Sequence, residues 1–259
     1  MNRGLPPFRG RSMTGVEAVM SARLQYWLFA ALLAGVLALA AIHAPAGSKR
    51  SAFPEPSRPV ASIVSPIWHD ADKRDAAKEV PQVASLLGIE PGMTVADIGA
   101  GSGYYVTRLS PMLGPSGRLI AEDITPLYLS QLEGKVRELR LSNVTVTKGE
   151  ADDPKLLPHS IDRALLIHVY HEVSQPFGLL YNLAAALKPG AKVGIVDATR
   201  STAEHGTPPV LLRCELSAMG YRETAFHPLS GGDTYLAVFE LPPDGKPTPP
   251  DRVKPCKEE

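Results

Sequence analysis

The segment 93–103 constrains the fold of this chain more than any other part of the sequence. Its first half, Met93–Ile98, is almost entirely apolar, which is typical of a strand buried on both faces of a parallel sheet. After an acidic residue, Asp97, glycines recur at every second position: Gly99, Gly101 and Gly103. Because glycine lacks a Cβ and tolerates positive φ, such a turn lets a ligand approach the backbone closely. The sequence therefore predicts a strand followed by a ligand-binding turn.

Strands and helices alternate through the middle of the chain. Further strands are predicted at Arg118–Asp123, Val144–Lys148, Ile161–Val169, Ala191–Asp197, Tyr221–His227 and Thr234–Leu241. Helices are predicted at Asp75–Leu87, Tyr104–Leu113, Leu127–Leu141, Phe177–Leu187 and Pro209–Met219. This alternation predicts an α/β fold with a doubly wound, mostly parallel sheet of seven strands. The last two strands follow each other without a helix, so they should form an antiparallel C-terminal hairpin.

Charge and cysteine content exclude some classes of protein. Basic and acidic residues both number 27, so the net charge is zero, which argues against a broad nucleic-acid footprint. The two cysteines, Cys214 and Cys256, have neither zinc-site spacing nor the pattern of a disulfide framework. We therefore expect no nucleic-acid partner, a small core residue at Cys214, and no structural role for Cys256.

The N-terminal part contains an uncharged run of apolar or small residues, Tyr26–Ile42. As a helix rising about 1.5 Å per residue it spans about 25 Å, the short end of what crosses a bilayer. Basic residues precede the run, and Ala44-Pro45-Ala46 resembles a signal-peptide cleavage site. We expect an uncleaved membrane anchor, with a cleaved signal peptide as the alternative. The basic residues before the run weakly favour a domain outside the cytoplasm, but Lys49, Arg50 and Arg58 after it partly balance them, so the topology stays open.

Composition divides the chain into five regions. They are a basic N-terminal region (1–23), a hydrophobic segment (24–46), a Pro/Ser-rich linker (47–66), the α/β domain (67–241) and a Pro-rich tail (242–259). The tail has no apolar periodicity and is expected to be disordered.

The glycine turn with its preceding acid resembles motif I of the class I S-adenosylmethionine-dependent methyltransferases. The C-terminal hairpin is also typical of that Rossmann-like family, and the resemblance covers about 75–241. It implies S-adenosylmethionine as methyl donor, and donor-binding residues at the carboxyl ends of the first four strands. The residues so implied are Asp97, Gly99, Ala100, Gly101, Gly103, Tyr104, Asp123, Ile124, Asp152, Asp153 and His168.

Each donor-binding group implied by the resemblance has a physical role. Asp97 and its glycines would hold the methionine moiety, and Asp123, favoured over Glu122, would accept the ribose hydroxyls. Asp123-Ile124-Thr125-Pro126 resembles the family's Asp-x-Ser/Thr-Pro pattern. Asp152, with Asp153 as second choice, would accept from the adenine amino group.

The segment after the fourth strand, His168 to Glu172, faces both donor and acceptor in the family's layout. His171 and Glu172 are candidates to deprotonate or orient an acceptor, with pocket lining or helix capping as the alternative. No further ligand cluster in the sequence supports metal binding, so we expect no metal. Trp68, His69 and Arg74 precede the core, in the region that related families use as a lid.

The resemblance implies methyl transfer by direct displacement to a small acceptor. The hydrophobic segment fits an apolar acceptor, with a role as an address alone as the equal alternative. The segment after the fourth strand lacks an Asn-Pro-Pro-Tyr signature, which would point to amino groups of nucleobases or glutamine. The alternatives are a non-catalytic donor sensor or membrane-tethered scaffold of the same fold and an NAD-dependent oxidoreductase. An aminopropyl transferase shares the fold, but no acidic polyamine motif supports it.

Overall fold

Seven strands form one sheet in the computed structural model, which describes residues 51–63, 71–230, 232–242 and 244–258. The strands are β1 (Thr94–Ile98), β2 (Arg118–Asp123), β3 (Val144–Lys148), β4 (Ile161–Ile167), β5 (Leu187–Ala198), β6 (Arg222–Pro228) and β7 (Thr234–Glu240). The helices are α1 (Ala71–Ala76), α2 (Glu79–Leu87), α3 (Tyr104–Leu113), α4 (Pro126–Glu138), α5 (Pro176–Ala186) and α6 (Pro209–Ala218).

The strand order is β3-β2-β1-β4-β5-β7-β6. Neighbours from β3 to β5 pair in parallel, whereas β7 pairs antiparallel with both β5 and β6. The doubly wound sheet and its antiparallel hairpin are thus confirmed. The order reverses between β1 and β4, and a crevice opens beyond the carboxyl ends of the strands at such a point.

The central strands of the sheet are buried on both faces, whereas the edge strands β3 and β6 are only partly buried. Alternate residues of each strand point to opposite faces, so Ala96 and Ile98 pack with α5 and α6, while Val95 packs with α2 and α3. Asp97 shares the face of Val95 because it lies two residues further along the strand. The periodicity therefore directs its carboxylate toward the α2 and α3 side.

The predicted helix Asp75–Leu87 is instead two helices. Lys78 adopts a left-handed conformation (φ 55°), which ends one helix and starts the next at Glu79. Single non-glycine residues visit this region at some cost, so the break needs a compensating contact. Glu79 supplies one, because its buried carboxylate accepts hydrogen bonds from Arg74 and Tyr105.

The C-terminal tail is tied to the domain, contrary to the expectation of disorder. Cys214 of α6 forms a disulfide with Cys256, Val253 is buried, and Glu258 accepts from the amide and hydroxyl of Thr202. The prediction that Cys256 has no structural role is wrong. Two cysteines 42 residues apart carry no recognisable framework pattern, so the sequence alone could not reveal the pairing.

The described part of the expected linker, 51–63, also packs on the domain. The Arg58 guanidinium forms a fully buried ion pair with Glu215 of α6, at 3.1 Å. Arg58 also donates to the carbonyls of Tyr170 and Val173, and Ala61 donates to the carbonyl of His171. The segment is therefore fixed against the loop that follows β4.

The predicted hydrophobic segment 24–46 lies outside the described residues, as do Trp68 and His69. Across the ranges that the structure describes, no helix combines the length and apolarity needed to cross a membrane.

Candidate functional site

A cavity of about 370 Å³ lies at the carboxyl ends of β1, β2 and β4. Its lining combines the glycine turn, acidic residues and an apolar wall. Of the donor-binding residues implied by the sequence, those in the lining are Asp97, Gly99, Ala100, Gly101, Tyr104, Asp123, Ile124 and His168. The fold thus brings together at one place residues from separate strand ends.

The glycine turn is held open by the acids at the end of β2. Gly101 donates its amide hydrogen to the Asp123 carboxylate at 2.8 Å, and Gly99 donates to the Glu122 carboxylate at 3.3 Å. All three glycines of the turn have positive φ. A Cβ on Gly99 would lie 2.6 Å from Val169, whereas a Cβ on Gly101 would meet nothing within 4 Å. Gly101 therefore leaves space in the cavity that a side chain would fill.

Gly103, also implied as a donor-binding residue, does not line the cavity. It is the N-cap of α3, and a Cβ there would lie 2.6 Å from Leu132 of α4. Its role in the structure is to let α3 pack closely on α4.

The acids at the ends of β1 and β2 are buried close together. Burial, with a smaller contribution from the negative charge of Asp123, raises the pKa of Asp97 to about 7, although Arg74 opposes the shift. Burial, reinforced by Asp123 and Asp97, raises the pKa of Glu122 to about 8. One Glu122 oxygen, Oε1, is buried without a hydrogen-bond partner among the described residues. The cavity therefore holds concentrated acidic groups that a cationic ligand would stabilise.

One wall of the cavity is a charged and aromatic cluster. Burial opposes ionisation of Glu79, but hydrogen bonds from His168 and Arg74 outweigh it and hold its pKa at about 2. The Arg74 guanidinium also lies 3.9 Å from the Tyr104 ring centroid. Arg74, part of the expected lid region, thus lines the cavity and fixes this wall.

The acids expected after β3 are displaced by two positions. Glu150 and Ala151 line the cavity, whereas Asp152 and Asp153 do not. The Asp153 carboxylate accepts from the backbone and side chain of Lys155, and the Asp152 carbonyl accepts from Asn182 of α5. The Asp153 carboxylate therefore stabilises the turn itself, and Glu150 is the acid at the cavity.

The two candidate catalytic residues differ in access. Glu172 lines the cavity, but His171 is fully buried and does not. The His171 Nδ1 atom lies 3.0 Å from both Asp197 carboxylate oxygens. His168 lines the cavity and has positive φ, with its ring 3.5 Å from the Glu79 carboxylate.

Sequence reasoning missed the contribution of the segment before the domain. Val60, Ala61 and Ile63 line the cavity, facing the loop after β4. No motif marks them, because Pro/Ser-rich composition is typical of linkers. The sequence feature that could have indicated packing of this segment is Arg58, a charged residue that pairs with Glu215, far along the chain.

The residues present fit S-adenosylmethionine. Asp97 offers a carboxylate for an ammonium group, the Gly101 position admits a ligand against the backbone, and Asp123 keeps acceptor capacity for hydroxyls. Glu150 and Ala151 place an acid and a backbone amide at the strand end where an adenine would lie.

Comparison with known proteins gives one family model, described as a methyltransferase domain, which matches residues 96–193. The chain is 34% identical to a protein-L-isoaspartate O-methyltransferase of Methanothermobacter thermautotrophicus, over 27% of this chain and 33% of that protein. It is 31% identical to a tRNA (adenine(58)-N(1))-methyltransferase of Thermus thermophilus, over 45% and 46%. It is 24% identical to a demethylmenaquinone methyltransferase of Oceanobacillus iheyensis, over 54% and 56%.

A solved structure of a SAM-dependent methyltransferase from Aquifex aeolicus is also similar. It has a TM-score of 0.59 and 27% identity, and the alignment covers 62% of this chain and 88% of that one. The chain spans about a third to just over half of the length of the curated relatives it matches. The matched segment contains the glycine turn and runs through β4, so the similarity falls on the cavity described above. The fold, the cavity and the match to a methyltransferase domain together support the class I S-adenosylmethionine-dependent methyltransferase superfamily for this chain.

Proposed function

We propose that this chain transfers a methyl group from S-adenosylmethionine to a small, apolar acceptor. The observation that carries the proposal is the cavity in which Asp97, the open Gly101 position and Asp123 meet. When bound, the donor supplies a methyl group already activated by its sulfonium. The protein then needs to supply alignment and exclusion of water more than chemical groups.

An apolar acceptor is supported by the rest of the lining. Val60 and Ile63 from the N-terminal segment and Val173 after β4 add aliphatic surface beside the acidic groups. Pockets of this kind bind ligands through apolar contact, with a few polar groups fixing orientation. The name of one relative, a demethylmenaquinone methyltransferase, also fits an apolar acceptor. The protein and tRNA acceptors named for other relatives are the competing outcomes.

We assign acceptor orientation to Glu172 in preference to His171. A base must lie within hydrogen-bond distance of the proton that it removes. Glu172 meets this requirement because it lines the cavity, where its carboxylate is within reach of a bound acceptor. His171 is fully buried behind it.

We also propose that the domain works in an oxidising compartment, tethered or exported by the hydrophobic segment 24–46. The Cys214–Cys256 disulfide supports this, because disulfides persist mainly in secreted and extracytoplasmic proteins. The location of the domain is tested by adding protease to intact cells that make the full-length protein. A domain that stays protected from external protease once any outer barrier is opened would contradict the proposed location.

Replacing Gly101 by Val should weaken donor binding at least tenfold with a limited loss of stability. The new side chain would enter cavity space in which a Cβ meets nothing within 4 Å. Calorimetric titration with S-adenosylmethionine measures the effect. Gly190→Val is the matched control, since Gly190 also has positive φ and open space but lies near the start of β5, away from the cavity lining. Equal donor affinity in Gly101→Val and the wild type would show that the donor binds elsewhere.

Isotope-labelled methyl donor identifies the acceptor class. We expect the full-length protein, incubated with separate lipid-extract, tRNA and protein fractions, to label an organic-soluble small molecule and to release adenosylhomocysteine. The Gly101→Val variant should label much less of it at a donor concentration that is limiting for the wild type. Label in tRNA or protein would contradict the small apolar acceptor. Donor binding without adenosylhomocysteine release in any fraction would favour a sensor.

A further inference from the structure

Three side chains that the proposed donor site does not need converge at the edge of the cavity. His171 and Glu172 follow β4, and His205 lies after β5 at the end of a short 3₁₀ turn, Thr202–Glu204. One ligand atom from each lies within 4.8 Å of the others. Because β4 and β5 are parallel neighbours, the loops after them meet at the same edge of the sheet.

His171 is held in the tautomer that a metal ligand requires. Asp197 also accepts from the Thr207 hydroxyl at 2.6 Å and from the Ala198 amide at 2.8 Å, so its carboxylate is surrounded by donors. The His171 Nδ1 atom therefore donates to Asp197, and in the neutral ring this leaves the Nε2 lone pair available. A carboxylate behind a histidine is the usual outer-shell partner of a metal-bound imidazole.

The Nε2 atom of His171 points into this cluster without a hydrogen bond. It is fully buried and has no partner among the residues that the structure describes. It lies 4.0 Å from a Glu172 oxygen, and His205 Nδ1 lies 3.9 Å from the same oxygen. A buried polar atom left unsatisfied is costly, so a ligand at this position would stabilise the protein.

We propose that His171, Glu172 and His205 bind one divalent transition-metal ion, of which zinc is the simplest representative. Two imidazoles and a carboxylate are suitable ligands, and three protein ligands leave a fourth position open. Tetrahedral ligands at zinc distances stand about 3.4 Å apart, so the three atoms must draw together slightly. No sequence pattern marks this site, because His205 lies far along the chain from Glu172.

The site adjoins the donor cavity and is braced from two sides. Glu172 belongs both to the cluster and to the cavity lining. Arg58 donates to the carbonyl of His171, and the tail residue Glu258 holds Thr202 in the turn that precedes His205. The loops bearing the ligands are therefore positioned by the N-terminal segment and by the disulfide-linked tail.

Zinc titration of the full-length, chelator-treated protein tests the proposal without any donor or acceptor. We expect one equivalent of Zn²⁺ to bind and to raise the thermal unfolding midpoint. His205→Gln should weaken binding at least tenfold, and Asp197→Asn should weaken it about 10- to 100-fold by releasing the His171 tautomer. His227→Gln, a histidine of β6 outside the cluster, is the matched control and should bind as the wild type does.

Cobalt gives a second readout of the ligand set. Substituted Co²⁺ should show visible absorption bands typical of low coordination number, and His205→Gln should lose them. Absence of stoichiometric Zn²⁺ binding would overturn the proposal. So would stoichiometric binding that His205→Gln leaves unchanged, because the metal would then be held by other residues.

Discussion

Replacing Asp97 by Asn is expected to weaken S-adenosylmethionine binding by about thirtyfold or more while stabilising the donor-free protein at pH 8. Asp97 is buried at the carboxyl end of β1, and we propose that its carboxylate accepts from the ammonium group of the donor. Removing one partner of a buried, hydrogen-bonded charge pair typically costs about 2–5 kcal/mol of binding free energy. The loss of donor affinity and the gain in stability should therefore have one cause, the removal of the Asp97 carboxylate.

The stabilisation follows from the raised pKa of Asp97, about 7. An acid whose pKa is higher in the folded than in the unfolded protein contributes stability below its unfolded pKa. That contribution is lost as the pH rises from about 4 to about 7. Above this window the wild-type protein carries a buried charge that the amide of the Asp97→Asn variant would avoid, and a shift of about three pKa units corresponds to at most about 4 kcal/mol.

Chemical denaturation and calorimetry at several pH values check both halves of this prediction. The stability advantage of Asp97→Asn should grow between about pH 4 and 7, and donor affinity of the wild type should rise over about pH 5.5–7.5, unlike that of the variant. Asp162→Asn is the matched control, because Asp162 lies near the N-terminal end of β4, at the opposite end of the strands from the cavity. Burial opposes ionisation of Asp162, but hydrogen bonds, chiefly from Lys188, outweigh it and lower the pKa. The Asp162→Asn variant should lose slight stability and keep donor affinity. If the Asp97→Asn variant is instead less stable and binds the donor as the wild type does, Asp97 has a structural role and does not bind the donor.

Breaking the Cys214–Cys256 disulfide should cost about 4 kcal/mol of the free energy of unfolding. The cross-link closes a loop with a sequence separation of 42 residues, and the chain-entropy relation for such a loop gives this magnitude. It also fixes the tail residue Glu258 against Thr202. The double variant Cys214→Ser/Cys256→Ser should thus unfold at lower denaturant concentration and expose the tail to protease.

A reductant provides the control for this change. It should move the wild-type midpoint to that of the double serine variant and leave the variant unchanged. Two titratable thiols in the wild-type protein purified under non-reducing conditions from an oxidising compartment would contradict the pairing.

The fold could be predicted from sequence because local patterns agreed with the global arrangement. The bounds of α3, β2 and β3 match the prediction, since apolar runs end there at clear glycine, proline or polar residues. The break at Lys78 could not be predicted, because it depends on Glu79 finding partners on α3 and in the loop after β4.

The site residues could be predicted where a local motif marks the end of a strand. They could not be predicted where the contacts join parts of the chain that are distant in sequence. Glu150, Asp152 and Asp153 all carry a carboxyl group, and the backbone path of the turn decides which of them reaches the cavity. His205 and Val60 reach the loop after β4 from other parts of the chain. The local pattern of apolar and polar residues does not predict such long-range contacts.

Titration of the full-length protein with S-adenosylmethionine, adenosylhomocysteine and NAD tests the central claim most directly. The account predicts that both sulfur ligands bind one-to-one, that each competes with the other, and that NAD does not bind. Binding of NAD, with neither sulfur ligand bound, would contradict it.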